Sequence, residues 1–287
     1  MRFTPAAFLI SLLIMCIACN TYSGIGDYSI LDKTPFGVCY SKVSPEQVQG
    51  YKLVIIEPDF YTKAEIQALK ATGTSIIAYT TLGEVDSNRW YFPLLEQQGF
   101  LGVNKNWGSS YIDISKKEVQ SILLDRVIPE IMGKGVDGLF LDTIDAVAPY
   151  GERRDLAPYM VELITKIRTL YPTATVIQNA GLFLLEETRS SLDAVLLEDV
   201  ASGYSFENEM YYVKNLSDFH ERYELVTSTS KKYDIPVFII DFAESNSGIS
   251  EIKSRLDTTG TPYFISNIQL SQLPRVPGKV ANTIRRE

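Results

Sequence analysis

Histidine is almost missing from this chain: there is one in 287 residues, with only three cysteines beside it. That scarcity excludes several chemistries. A Ser-His-Asp triad needs a histidine next to its nucleophile, and a structural or catalytic zinc site draws on several His or Cys ligands. His220 lies in a polar stretch, SDFHERYE, away from any predicted strand end, and reads as a surface residue. No predicted strand ends in lysine, which argues against a Schiff-base mechanism. The glycines of Gly133–Gly138 (GKGVDG) fit G-x-G-x-x-G, but the motif precedes a strand where a dinucleotide loop must follow one, so no nucleotide cofactor is implied. No metal and no cofactor is expected. Positive charge is also short: 27 Lys and Arg stand against 35 Asp and Glu, a net charge of −8. Phosphate backbones demand a basic stripe, so nucleic acid is excluded as a partner.

Long apolar runs are lacking too. Phe8–Ile17 (FLISLLIMCI) is the one candidate, and it falls well short of the roughly 20 residues a membrane span requires. Preceded by Arg2 and followed by Ala18, it reads as an export signal, with an uncut anchor as the alternative. Cys16-Ile-Ala-Cys19 resembles a bacterial lipobox, although Cys16 stands where the pattern usually has Leu. On that reading Cys19 is lipidated and the protein sits in the periplasm or at the cell surface, touching the membrane only through the lipid. A Cys19–Cys39 disulfide is the competing use of these thiols in an oxidising compartment. The expected organisation is a signal over residues 1–18, a polar tether over 19–35, and one domain over 36–287 with a short irregular tail from Leu273, acting as a monomer.

What is present is alternation. Eight short apolar runs, rich in β-branched and aromatic residues, recur along the chain. They are FGVCY (36–40), LVIIE (53–57), SIIAYT (75–80), GLFLD (138–142), TVIQN (175–179), AVLLE (194–198), VFIID (237–241) and PYFISN (262–267). Continuous runs of this kind read as parallel strands buried on both faces. Helical periods lie between several of them. Thr62–Thr72 has Thr62 as N-cap; Ser115–Lys134 opens with a capping-box pattern and carries Pro129 as a kink; Asp155–Tyr171 and Ser250–Thr258 follow. Eight repeats predict an α/β fold, a (β/α)8 TIM barrel, with an open doubly wound sheet as the alternative.

Such a barrel works at the C-terminal ends of its strands. Those ends are acidic or amidic here. Glu57 and Asp59 follow the second strand and Glu84 the third. Asp142 closes the fourth, with Asp145 just beyond; Asn179 closes the fifth, Glu198-Asp199 the sixth, Asp241 the seventh and Asn267 the eighth. About half are expected to be caps or other structural groups. Two carboxyl groups flanking a bond are what glycoside hydrolysis requires, one protonated to serve the leaving oxygen and one acting as nucleophile or water activator. Aromatic rings complete a sugar site, and Tyr40, Tyr79, Trp90, Tyr91, Trp107, Tyr204 and Phe242 lie near these acids.

YTTLGEVDSNRWYF (79–92), GVDGLFLDTID (135–145) and VLLEDV (195–200) resemble glycoside hydrolase family 114, over about Phe36 to Leu273. The resemblance implies a (β/α)8 barrel with endo-α-1,4-polygalactosaminidase activity on an amino-sugar polysaccharide. It makes Asp142 the nucleophile or main charge stabiliser and Glu198 the proton donor. Asn179 would hydrogen-bond a sugar substituent, and Glu84, Arg89, Asp145 and Asp241 would line the pocket, joined by Tyr40, Asp59 and Tyr79 as further substrate contacts. Phe100–Ser110 departs from the family's pattern. The rival reading is a carbohydrate-binding barrel that holds a glycan without cutting it; the pairing of Asp142 with Glu198 separates the two.

Overall fold

The computed structural model describes residues 28–276. Cys16 and Cys19, and with them the expected signal and lipidation site, lie outside the described residues. Eight parallel strands form a nearly closed barrel in chain order: β1 (Phe36–Cys39), β2 (Leu53–Ile56), β3 (Ser75–Thr81), β4 (Gly138–Asp142), β5 (Thr175–Asn179), β6 (Ala194–Glu198), β7 (Val237–Phe242) and β8 (Tyr263–Ser266). Each pairs with its sequence neighbour, so the barrel topology holds and the open-sheet alternative falls. At the seam, just past the strands, Tyr40 N–H donates to the Leu270 carbonyl at 2.7 Å.

Burial on both faces explains the continuous apolar runs: all four residues of β1 and of β2 are buried, as are all six of β7. Aromatic side chains bring β1, β7 and β8 together, with Phe36 stacked on Phe238 at 4.8 Å and tilted against Phe264 at 6.1 Å. Residues at the end of the expected tether belong to this body. Tyr28–Lys33 forms a 3-10 turn, Ile30 is buried, and Lys33 Nζ donates to Ser75 Oγ (3.2 Å) and Thr175 Oγ1 (3.3 Å) at the N-terminal ends of β3 and β5. Leu273, the first residue of the expected tail, also belongs to this body: with Tyr51 it fills the space over Gly37 in β1.

Helices cover the outside. Lys63–Lys70 is capped as its sequence predicts, Thr62 and Glu65 exchanging side-chain and backbone hydrogen bonds. The expected capping box at Ser115 is absent, because Ser115 Oγ bonds Asp113 at 2.5 Å and the helix begins at Lys117. Ahead of Pro129 the backbone widens into π-type turns over Ile122–Val127. Proline has no N–H for the preceding turn, and the wider register absorbs that gap. Leu216–Tyr233 is an 18-residue helix with no counterpart among the helices predicted from sequence. Its buried residues are Phe219, Val226 and Thr229, too few for a legible apolar stripe. Cys39 is a buried free thiol in β1.

Two excursions rise above the C-terminal ends of the strands. After β3, three short antiparallel strands (Glu84–Val85, Ser110–Ile112 and Phe100–Val103) form a small sheet; after β6, Ser202–Ser205 pairs with Met210–Val213 as a hairpin.

Candidate active site

Between these excursions lies a cleft of about 330 Å³ over the centre of the barrel. Asp142, Asn179 and Glu198, the last residues of β4, β5 and β6, stand side by side in it. The Asn179 amide joins the two acids: its Nδ2 donates to Asp142 Oδ1 at 2.8 Å and to Glu198 Oε1 at 3.1 Å. Two oxygens sharing one nitrogen at these distances stand less than about 6 Å apart. Asn179 Oδ1 is buried with no protein partner.

One backbone device recurs at all three positions. The residue after each is non-glycine and left-handed: Thr143 (φ 60°), Ala180 (φ 47°) and Asp199 (φ 59°). Such conformations are costly for a residue with a Cβ and persist only where surrounding bonds impose them. Here those bonds are visible. Thr143 Oγ1 accepts the N–H groups of Leu82 (3.2 Å) and Gly83 (2.8 Å), which ties the β3 loop to Asp142. Gly83 is needed there, since a Cβ would lie 2.5 Å from the Thr143 carbonyl. Behind Glu198, Arg222 of the 216–233 helix donates to the carbonyls of Glu198 (2.9 Å) and Asp199 (3.3 Å).

Electrostatics separates the acids. Burial, and then the charge of Asp142, push the Glu198 carboxyl up to about 8, against the opposing pull of the Asn179 hydrogen bond. Glu198 therefore holds a proton at neutral pH. The Tyr79 side chain lies against Asp142, and its ionisation is driven well upward by burial and by that carboxylate. Tyr40 is raised for the same reasons, with Glu198 and Glu57 contributing, and packs edge-on to Tyr79 at 4.9 Å. Glu84 sits deeper in the wall, bonded by Ser109 and by Asn104 Nδ2 (3.2 Å), and burial raises it. Asp145 stands at the rim, raised by desolvation and by Asp142.

Most of the residues expected from the sequence thus meet: Tyr40, Tyr79, Glu84, Arg89, Asp142, Asp145, Asn179 and Glu198 all line the cleft. Asp59 and Asp241 stand away from the cleft, and Arg89 lines it while bonded to protein. Arg89 is present, but its guanidinium is committed to protein: Nη1 and Nη2 grip Glu57, the latter at 2.6 Å, and Nη1 reaches Asp59 at 3.1 Å. Burial works against its charge, but the bonds and charge of Glu57 outweigh it and hold Arg89 above the usual range. Its Cζ lies 5.3 Å from the Tyr79 ring centre, so it braces the wall. Asp59, expected as a substrate contact, faces Arg89 and a separate hollow with Trp90. Asp241 is fully buried beneath the cleft. It accepts the N–H groups of Ala201 (2.9 and 3.0 Å) and Ser202 (2.8 Å) and the Ser202 hydroxyl (2.8 Å), which anchors the β6 hairpin. Of the candidate aromatics, Phe242 and Trp107 line the cleft while Tyr91 is core. Asn104, Ser109 and Thr143 were not foreseen; they act through Glu84 and Asp142, and nothing in their sequence context marks them.

A parallel barrel whose strand ends hold two carboxyl groups on one amide, one of them protonated, has the equipment of a glycosidase. The chain belongs to glycoside-hydrolase family GH114, whose model matches residues 30–281. The fold is similar to that of the glycoside hydrolase domain of PelA from Pseudomonas aeruginosa: TM-score 0.74 at 21% identity, over 84% of this chain and 97% of that one. It is also similar to Aspergillus fumigatus Ega3, solved in complex with galactosamine: TM-score 0.63 at 15% identity, over 82% and 90% of the two chains. An uncharacterized protein of Deinococcus radiodurans is 24% identical over 257 residues, 83% of this chain and 80% of its own.

Proposed function

We propose that this protein hydrolyses α-1,4-linked galactosamine-containing polysaccharide by a two-step, retaining mechanism. The observation that carries the mechanism is the Asn179 amide joining Asp142 and Glu198. Carboxyl groups that attack directly are about 5–5.5 Å apart, whereas pairs that activate water between them need about 6.5–9.5 Å. One shared nitrogen is compatible with the short separation. In the first step an Asp142 oxygen bonds the anomeric carbon as the glycosidic C–O bond breaks, and Glu198 gives its proton to the departing oxygen. In the second, Glu198, now a carboxylate, takes a proton from water while the water oxygen displaces Asp142 from the anomeric carbon. The raised Glu198 suits the acid role. Asn179 holds both acids in register, and the Tyr79 side chain lies against Asp142.

The substrate class rests on the family and on the galactosamine in the Ega3 crystal. An acidic cleft, with Glu84 and Asp145 beside the pair, adds attraction for a chain bearing free amines. Export and lipid attachment at Cys19 complete the reading: an enzyme held at the cell surface or in the periplasm meets polysaccharide, not cytosolic metabolites.

The test is release of new reducing ends from α-1,4-linked galactosamine and N-acetylgalactosamine polymers by the mature protein, alongside Asp142→Asn and Glu198→Gln. Cleavage by the unaltered protein, with the α-anomer as first product and losses of about 100-fold or more in both variants, is the expected result. Equal product from all three proteins removes the mechanism, and β-anomer as first product removes retention. No product from any polymer removes the substrate reading.

A further inference from the structure

Past Trp107 the cleft opens into a second hollow of about 350 Å³, which shares Trp107, Ile268 and Gln269 with it and adds Lys105, Tyr204, Phe206 and Glu209. Its aromatic rings are open to solvent: Trp107 is 55% exposed and Phe206 38%. They are nevertheless held. Trp107 meets Phe206 edge-to-face at 5.1 Å, Phe206 meets Tyr204 at 5.2 Å, and Tyr204 meets Tyr211 at 4.9 Å. The Tyr211 hydroxyl accepts the Ile268 N–H at 3.0 Å, which ties this array to the loop beyond β8 that also forms the cleft wall. Both excursions supply it: Trp107 comes from the small sheet after β3, and Phe206 from the hairpin that the buried Asp241 anchors.

Rigid aromatic surface left facing water is costly unless something covers it. Continuity with the cleft says what does. We propose that this hollow is an outer sugar-binding subsite, where units of the glycan beyond the cleavage point stack their apolar C–H faces on Trp107, with Phe206 fixing the angle of the indole. The inference rests on the glycosidase reading. One cationic and one anionic residue, Lys105 and Glu209, line the hollow. Recognition there follows the sugar ring face and not the amine charge, in contrast to the acidic inner cleft.

The chain has two tryptophans, and Trp90 lies in a different hollow. Trp90→Phe therefore leaves Trp107 as the sole indole reporter. In the mature full-length protein, α-1,4-linked galactosamine chains long enough to reach the hollow are expected to move its emission to the blue, and their N-acetylated counterparts to do the same. Disaccharides are expected to move it less. Trp107→Ala is expected to lower kcat/KM on long chains about tenfold, with the loss shrinking as the chain shortens, and Phe206→Ala to follow the same trend more weakly. Losses equal at every chain length, or an emission spectrum unmoved by any chain, overturn the subsite. Should the unaltered protein cleave none of these polymers, the substrate reading fails on its own. The emission titration, extended to β-1,4-linked N-acetylglucosamine chains, then still decides the subsite: a length-dependent shift upholds it and an unmoved spectrum removes it.

Discussion

Asp142 and Asp241 are both aspartates at the end of a barrel strand, and from sequence they look equivalent. In the fold they differ in what already occupies their oxygens. Asp241 is followed by Phe242, still within β7, and its carboxylate is held by the N–H groups of Ala201 and Ser202 and by the Ser202 hydroxyl. Asp142 is followed at once by the left-handed Thr143, which ends the strand and turns the chain away. Its contacts are the Asn179 amide, itself shared with Glu198, and the Tyr79 side chain. A carboxylate whose lone pairs are filled by rigid backbone donors holds structure. One that faces a cleft on an adaptable side-chain donor keeps capacity for a substrate.

Swapping each for asparagine exposes the difference. Asp142→Asn should cost activity by about 10⁴-fold, with melting temperature held or raised, since the fold loses no backbone anchor. Asp241→Asn should do the reverse. An amide oxygen can still serve the donors gathered at Oδ1, but Oδ2 becomes a buried N–H donor facing the Ala201 N–H with nothing to accept it, so about 2–4 kcal/mol of stability is lost and the melting temperature falls by roughly 5–15 °C. Its kcat, measured well below that melting point, should fall by less than about tenfold. Parallel reducing-end assays and thermal unfolding decide it. Equal activity losses in the two variants would break the comparison.

The Glu57–Arg89–Asp59 group extends the structural side of this division. Arg89→Met leaves Glu57 buried without its partner, and removing one member of such a pair costs about 3–5 kcal/mol. The loss should appear in denaturant unfolding as a lower midpoint at unchanged slope, which separates lost stability from a changed denatured state. A midpoint within error of the unaltered protein would show that Arg89 contributes no net support.

These differences mark what the amino-acid pattern can carry. All eight strands were legible because burial on both faces writes itself as unbroken apolar runs, and GLFLD, TVIQN and AVLLE match their strands end to end. The catalytic candidates were legible because they close those same strands. Three things were not. Thr143, Ala180 and Asp199 take a left-handed backbone without glycine, so no local signal announces the kinks. The partners of Arg89 and Asp241 lie 30 to 40 residues away in the chain, and charge alone does not tell a sugar contact from an ion pair. The helix over 216–233 is surfaced with polar residues, yet it delivers Arg222 to the backbone behind Glu198.

Glu198 offers the effect with a definite sign in pH, smallest in acid, where the folded and unfolded chains both hold its proton. A free glutamate ionises near 4.3. In the folded protein Glu198 keeps its proton up to about 8, because burial and the Asp142 charge oppose ionisation. The folded state therefore binds a proton more tightly than the unfolded chain does. By linkage, stability is lost as pH climbs from about 4 to about 8, and the full cost is present above that. Glutamine cannot ionise, so Glu198→Gln escapes this cost. Its melting temperature should match that of the unaltered protein at pH 4 and exceed it at pH 9, by up to about 5 kcal/mol of stability if the whole shift is expressed. The activity of the unaltered enzyme should fall over the same upper range, as the acid loses the proton it must donate. Coincident melting temperatures at pH 9 would mean that Glu198 ionises like an ordinary carboxylate. Asp142 and Glu198 would then carry equal charge, and the division of labour between them would have to come from geometry alone.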